Sequence, residues 1–358
     1  MNHTPACLLT LLICALLPTV AQASCKKPAD LEEVVRCTAY SSSYKFTENF
    51  RQIREWVLLS KSYCSQPDRH VLFDVHGRFL GWFTDPQGDD QKATQAKIDQ
   101  QRLRYYRQGK VPYYIPGSKN RSGYPFTFSC DRKETDIHAG LARYKGRLPD
   151  SRLSGEWNGV QLSNATLEET FAAVYKKRNY KARGLSGNDV SWLIGILLIE
   201  SSGKREAHSS VGAQGVMQIM PSVLRRDCGV PRSKYRHRIA QVDCAMKLML
   251  TNKKYLAPYF NRTFGHLPEH KKEDLFDRLL VQAYHGGLGN VRKIIDAEEK
   301  TTGKAARYFA KHHKSYSAEE IATALVFHNF ARLPLRMASI RYVTDVGIAR
   351  DLALGRLR

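Results

Sequence analysis

Glu200 closes an apolar run, Trp192 to Ile199, and within about twenty residues the chain reads Gly212-Ala213-Gln214-Gly215-Val216-Met217-Gln218-Ile219-Met220-Pro221. A carboxyl at the end of a buried helix is hard to ionise, because desolvation and the negative end of the helix dipole both favour its protonated form. Such a group can give a proton to a glycosidic oxygen near neutral pH, as carboxyls in hydrophobic pockets do in glycosidases. The downstream block adds backbone amides, the Gln218 carboxamide, and two glycines, Gly212 and Gly215, that allow conformations and close ligand approach a Cβ would obstruct. Ser201 and Gln218 offer short hydrogen-bonding groups near the acid, and Met217 reads equally as a floor under a sugar ring or as plain core. The pattern suits the cutting of a sugar chain.

Ordinary glycosidases need a second carboxylate at a defined separation. From Ser201 to Gln218 the other acid is Glu206, beside Lys204 and Arg205 on what reads as a solvated turn. Asp227, Asp243 and Asp345 remain as possible partners, and one of them facing Glu200 would make hydrolysis the better reading. The chain contains no Gly-x-Ser-x-Gly, no His-Glu-x-x-His and no phosphate loop. His312-His313 and the pair His266, His270 lack the carboxylate or cysteine framework of a metal site, so no metal is expected.

The elements that must position Glu200 are helical. From Thr166 onward, apolar residues recur at the 3.6-residue period, and the spacing predicts helices at Leu167–Tyr175, Asp189–Ser201, Ile239–Tyr255, Glu273–Tyr284, Asn290–Glu298, Ala318–Phe330 and Met337–Leu354. Asn188 or Asp189 is the expected N-cap of the helix carrying Glu200, with Gly203 as its stop. Residues 24–160 read as a smaller α+β region: a short helix at Ala29–Cys37, two strands in Val71–Phe83 around a turn at His76-Gly77, a polar helix over Gln91–Gln108, and a loop from Pro112 to Pro125. No catalytic motif is visible there.

The first 23 residues contain no Lys, Arg, Asp or Glu, and carry an apolar stretch from Cys7 to Val20 followed by Ala21-Gln22-Ala23. They read as a secretory signal peptide ending before Ser24, which implies a periplasmic protein. Gln22-Ala23-Ser24-Cys25 also faintly resembles a lipoprotein processing site, which leaves an outer-membrane lipoprotein as the alternative. Six cysteines follow the leader: Cys25, Cys37, Cys64, Cys130, Cys228 and Cys244. Cys228 with Cys244 is the local pairing, closing a loop of about 15 residues that could contribute roughly 3 kcal/mol. The formal net charge of +22 favours anionic partners such as nucleic acid, anionic lipid or the carboxylate-bearing peptides of a cell wall. Export argues against nucleic acid.

Glu200-Ser201, Ala207, the block Gly212 to Pro221, Ala283-Tyr284-His285-Gly286-Gly287 and Tyr342-Val343 resemble the successive motifs of the family 1 lytic transglycosylases, a branch of the lysozyme-like superfamily. The resemblance covers about Leu185 to Leu354. It implies a lysozyme-like helical domain, residues 161–358, whose groove binds peptidoglycan glycan strands. It implies Glu200 as the single catalytic carboxylate, no metal or organic cofactor, and a substrate cleft involving Ser201, Gly215, Met217, Gln218, Tyr284, His285 and Tyr342. In such enzymes the acid protonates the oxygen between N-acetylmuramic acid and N-acetylglucosamine, then acts as base on the muramic C6 hydroxyl to give a 1,6-anhydro product. The chain departs from the pattern at Arg205, where Pro is usual, at Val216, where Leu is usual, at His285, where Asn is usual, and at Ala338-Ser339, where a Glu-Thr pair is usual. The rival readings are a muramidase that uses water on the same bond and a non-catalytic wall-binding or secretion-scaffold protein that keeps the fold; residues 24–160 are expected to modulate targeting, the binding of envelope-protein partners or the length of the glycan groove.

Overall fold

A computed structural model describes residues 136–329, 332–335 and 337–357, and ahead of them three strands, residues 88–90 and single helical positions between 47 and 104. The expected leader, the helix at Ala29–Cys37, the turn at His76-Gly77, the loop Pro112–Pro125 and four cysteines, Cys25, Cys37, Cys64 and Cys130, lie outside the described residues.

The expected pair of strands is present as β1 (Arg69–Phe73) and β2 (Phe79–Thr84), antiparallel with Val71 opposite Trp82. A third strand, β3 (Thr127–Ser129), pairs with the other edge of β1, giving the order β2-β1-β3. Within the polar stretch expected to be helical, the described positions Ala93, Ala96, Lys97, Gln100 and Arg104 are helical.

The chain is mainly helical from Ile137 onward. The elements are α1 (Ile137–Tyr144), a hairpin β4 (Leu153–Trp157) and β5 (Val160–Ala165), α2 (Leu167–Lys177), α3 (Gly187–Ser201), α4 (Pro221–Arg226), α5 (Arg238–Phe264), α6 (Glu269–Gly286), α7 (Leu288–Ile295), α8 (Lys304–Lys311), α9 (Ala318–Phe327) and α10 (Met337–Ala353). Residue 160, where the sequence reading divides the chain, is the first of β5, so that division runs through the hairpin.

The helix α3 is the axis of the core. Its cap is Ser186 rather than Asn188 or Asp189: the Ser186 hydroxyl accepts from Asp189 N while the Asp189 carboxylate accepts from Ser186 N, so the acid expected as the cap closes the box from inside the helix. At the other end Ser202, at φ 50°, ends the helix just before the expected stop, Gly203. Between them Trp192, Leu193, Ile196, Leu197 and Leu198 are all buried, each contributing about 1.5–3 kcal/mol.

The helix α10 runs antiparallel along α3, and Gly195 lets it: a Cβ there would lie 2.5 Å from the Val346 carbonyl oxygen. Contact at backbone distance brings Tyr342, one turn from Val346, beside Glu200. Behind α10, Arg54 is fully buried and donates through Nε (2.7 Å) and Nη2 (2.9 Å) to both oxygens of Asp345, while Arg51 Nη2 lies 2.7 Å from Asp351. Residues ahead of the helical body therefore anchor the helix that carries Tyr342.

Cys228 and Cys244 form the disulfide chosen from their spacing, tying the end of α4 to α5 across a Cα separation of 5.4 Å. Several boundaries differ from expectation. The helix α5 runs on through Pro258 to Phe264, where burial of Leu256, Phe260 and Phe264 outweighs the proline, and α7 and α9 end three residues early. No helix of the described residues is long and apolar enough to cross a membrane.

Candidate active site

Glu200 occupies the last turn of α3 and keeps part of its surface open to solvent. The Tyr342 hydroxyl donates to Glu200 Oε1 at 2.6 Å. Burial of the carboxyl pushes its pKa up, and the Tyr342 bond, which favours the ionised form, pulls it back. Burial wins, and the group is held at about 7. It can therefore both donate and accept a proton near neutrality. Tyr342 and Tyr284 are raised well above the ordinary phenol range, first by burial and then by the negative charge of Glu200, so both remain hydrogen-bond donors.

The loop after α3 forms the adjoining wall. Gln214 and Ile219 exchange backbone bonds at 3.2 Å around a tight turn, closed by Gln218 N to Gly215 O at 3.1 Å. Gln218 sits at φ 47°, and its Nε2 donates to the carbonyls of Ala207 and Gly215, both at 2.9 Å. Ser201 donates to Val216 O at 2.7 Å, welding the loop to the end of α3. Tyr284 donates to Met217 O at 2.8 Å, fastening it to α6. Met217 is wholly buried, which settles its side chain as core. Ser201, Met217 and Gln218, expected to face a ligand, spend their contacts bracing the wall, because a loop with so few regular backbone bonds needs side chains to hold it.

Gly215, at φ 75°, is required for the same reason. A Cβ there would come within 2.7 Å of the Gln241 carboxamide. Gln241, buried on α5, accepts from Met217 N at 3.1 Å and donates to Gln214 O at 3.0 Å and to Tyr235 O. Gln241 stands 24 residues beyond Met217 in a helix where no local signature marks it. His285 ends α6 with its ring stacked on Tyr342, centroids 4.3 Å apart and planes 17° from parallel.

The possible second carboxylates are all engaged elsewhere. Asp243 receives Tyr180 OH (2.6 Å), Trp157 Nε1 (3.0 Å), Arg178 Nε (3.2 Å) and Asn158 Nδ2 (3.3 Å). Asp345 is clamped by Arg54, and Asp227 is paired on the surface with Arg226, which holds its carboxyl below the usual range. Glu206 lies exposed between Arg205 and Arg236, as its solvated-turn reading implies. Among the described residues no second carboxylate contributes to the shift of Glu200.

The arrangement thus joins α3, the 214–219 loop, the end of α6 and the start of α10 around one poised acid. Among the described residues no group of three or more His, Cys, Asp or Glu is placed to hold a metal ion. No curated protein matches the chain. Residues 179–308 match the family described as the Transglycosylase SLT domain, a lysozyme-like fold type, and the match supports a lytic transglycosylase-like domain with peptidoglycan as its class of substrate.

Proposed function

We propose that the chain is a peptidoglycan lytic transglycosylase that cleaves the β-1,4 bond between N-acetylmuramic acid and N-acetylglucosamine. The observation that carries the reading is one carboxyl, Glu200, poised at about 7 with one phenol bonded to it and, among the described residues, no neighbouring acid that shifts it. Protonated Glu200 gives its proton to the bridging oxygen as the bond to the muramic C1 breaks, and N-acetylglucosamine leaves with a free 4-hydroxyl. Positive charge developing at C1 is met by the substrate's own N-acetyl group, an assistance used by some glycosidases in place of an enzyme nucleophile. Glu200, now ionised and bonded by Tyr342, takes the proton of the C6 hydroxyl as its oxygen closes on C1. The acid ends protonated as it began, no water is consumed, and the product is a 1,6-anhydro ring.

A raised pKa suits the first step and an available lone pair suits the second; a carboxyl held near neutrality serves both. Pairing of Asp243, Asp345 and Asp227 with arginines weighs against a water-activating partner and hence against a muramidase. Residues 1–23 serve as an export leader to the periplasm, where peptidoglycan lies, and residues 24–160, part of which packs on the helical body, act on targeting or envelope partners. The test is digestion of purified sacculi with the full chain. Mass spectrometry should return muropeptides one water lighter than those with reducing ends. Reducing-end products would establish hydrolysis instead, and binding without any release would leave a scaffold.

A further inference from the structure

Resting on that reading, we infer that His285 is a positioning residue: its imidazole, laid flat on the Tyr342 ring, holds the phenol against Glu200. The stack is close and nearly parallel, at 4.3 Å and 17°, and the phenol beneath it makes a 2.6 Å bond to the acid. Tyr284, the preceding residue, is tied to Met217 O at 2.8 Å, so the end of α6 is fixed against the loop and offers the imidazole from a rigid base. His285 keeps part of its surface exposed at the end of α6, and one face of its ring is covered by the Tyr342 phenol. Burial of the ring, and then the positive charge of Arg341 on α10, push the imidazole pKa down to about 4. The ring is thus neutral where Glu200 titrates, and the stack is one between uncharged faces. A charged imidazole there would add a positive charge beside the acid and disfavour the proton it must carry.

The competing role for a residue at the rim is a polar contact with the sugar. Two replacements separate them, since Phe keeps a flat ring without polar atoms and Asn keeps polar atoms without a ring. Positioning predicts that His285→Ala and His285→Asn lower kcat about three- to ten-fold with KM little changed, the loss expected for one aromatic pair, and that His285→Phe recovers most of it. A second measurement needs no catalysis: carbon-13 NMR titration of the Glu200 carboxyl in the substrate-free full chain. The midpoint in His285→Ala should move to that of Tyr342→Phe, and the double variant should move no further, because both changes remove one and the same bond. Additive shifts, or a Glu200 midpoint untouched by His285→Ala, overturn the proposal. So does activity kept by Asn and lost by Phe through KM. Should the products of sacculus digestion prove the transglycosylase reading wrong, the titration still decides whether His285 sets the phenol.

Discussion

The two ends of α3 each hold a buried carboxyl, and the two are wired differently. At the start of the helix, Asp277 from α6 accepts through one oxygen from Asn188 Nδ2 and, at 3.3 Å, from Trp192 Nε1. Asp189 lies close by with Lys253 at 2.7 Å, and the Arg350 guanidinium covers Trp192 at 4.5 Å. At the far end, among the described residues, Tyr342 is the one side chain bonded to Glu200, and the acid has a face open to solvent. Both acids are pushed up to about 7, mainly by burial. Their chemistry differs because Asp277 is enclosed by fixed neighbours, whereas Glu200 has an approach for a ligand and a lone pair to spend. A perturbed carboxyl reports burial; incomplete coordination beside an opening is what suits one to catalysis.

The largest expected effect separates the two acids outright. Glu200→Gln should slow clearance of purified peptidoglycan by about 10²–10⁴-fold, the span of general acid–base catalysis, in a turbidity assay. Asp277→Asn should leave clearance close to that of the parent chain. Equal losses in both would show that the ends of α3 do not differ in the way argued, and equal activity of Glu200→Gln and the parent would remove the enzyme reading.

Next in size is the anchor of α10, the helix lying along both ends. Arg54 and Asp345 form a buried bidentate pair, so Arg54→Ala strands a carboxylate and should cost about 3–5 kcal/mol, read as a lower denaturant midpoint. A loss under 1 kcal/mol would mean that α10 is held by its packing on α3 alone.

A third effect should be common to both acids. Because their pKa values are raised on folding, the stability each contributes is fully present below its unfolded value, near 4, and is lost as pH rises through about 7. Replacing either by its amide removes that loss. Glu200→Gln and Asp277→Asn should therefore both melt higher than the parent at pH 8, by up to about 3 kcal/mol, with the gap closed at pH 4. The gain at Glu200 should be the smaller, since solvent reaches it. Matching stability profiles with opposite activities would express the comparison in a single experiment.

Much of this architecture is legible in the chain because long apolar helices write their own period. Trp192 to Ile199 reads as buried, as all but Ile194 and Ile199 are, and burial alone predicts the direction in which Glu200 moves. The elements missed are short or differently signalled. The helix α4 has six residues, too few for a period, and Pro221 at its first position reads as the end of a motif rather than the start of a helix. In α8, Ala305, Ala306 and Phe309 make a buried stripe, but eight residues amid lysines and arginines show it weakly. The β4–β5 hairpin did carry a signal: Asn158 and Gly159, at φ 48° and 75°, form the two-residue Asn-Gly turn between Trp157 and Val160. That turn lies just ahead of the helical pattern and is masked by it. Within the site, Glu200 is visible through its neighbours in sequence, and its partner Tyr342 only through resemblance. Gln241 and the His285–Tyr342 stack depend on which helices meet, and no local spacing encodes that.

The smallest effect returns to the two serines that end α3. Ser186 caps the first turn at the protein's polar margin, and its hydroxyl accepts one backbone bond, from Asp189 N at 3.1 Å. Ser186→Ala should cost about 1 kcal/mol, the usual loss of a helix cap, and should leave clearance as it is. Ser201 is buried, donating to Val216 O at 2.7 Å and accepting from Gly203 N at 3.0 Å. In Ser201→Ala both backbone groups lose their partner away from water, which costs about 1–3 kcal/mol and frees the 214–219 loop from the helix that presents Glu200. Its activity should fall with its stability, whereas that of Ser186→Ala should not. Melting curves and clearance rates of the two variants, taken side by side, measure how tightly the site depends on one end of this helix; a matched fall in activity at both would mean that α3 transmits disturbance along its whole length.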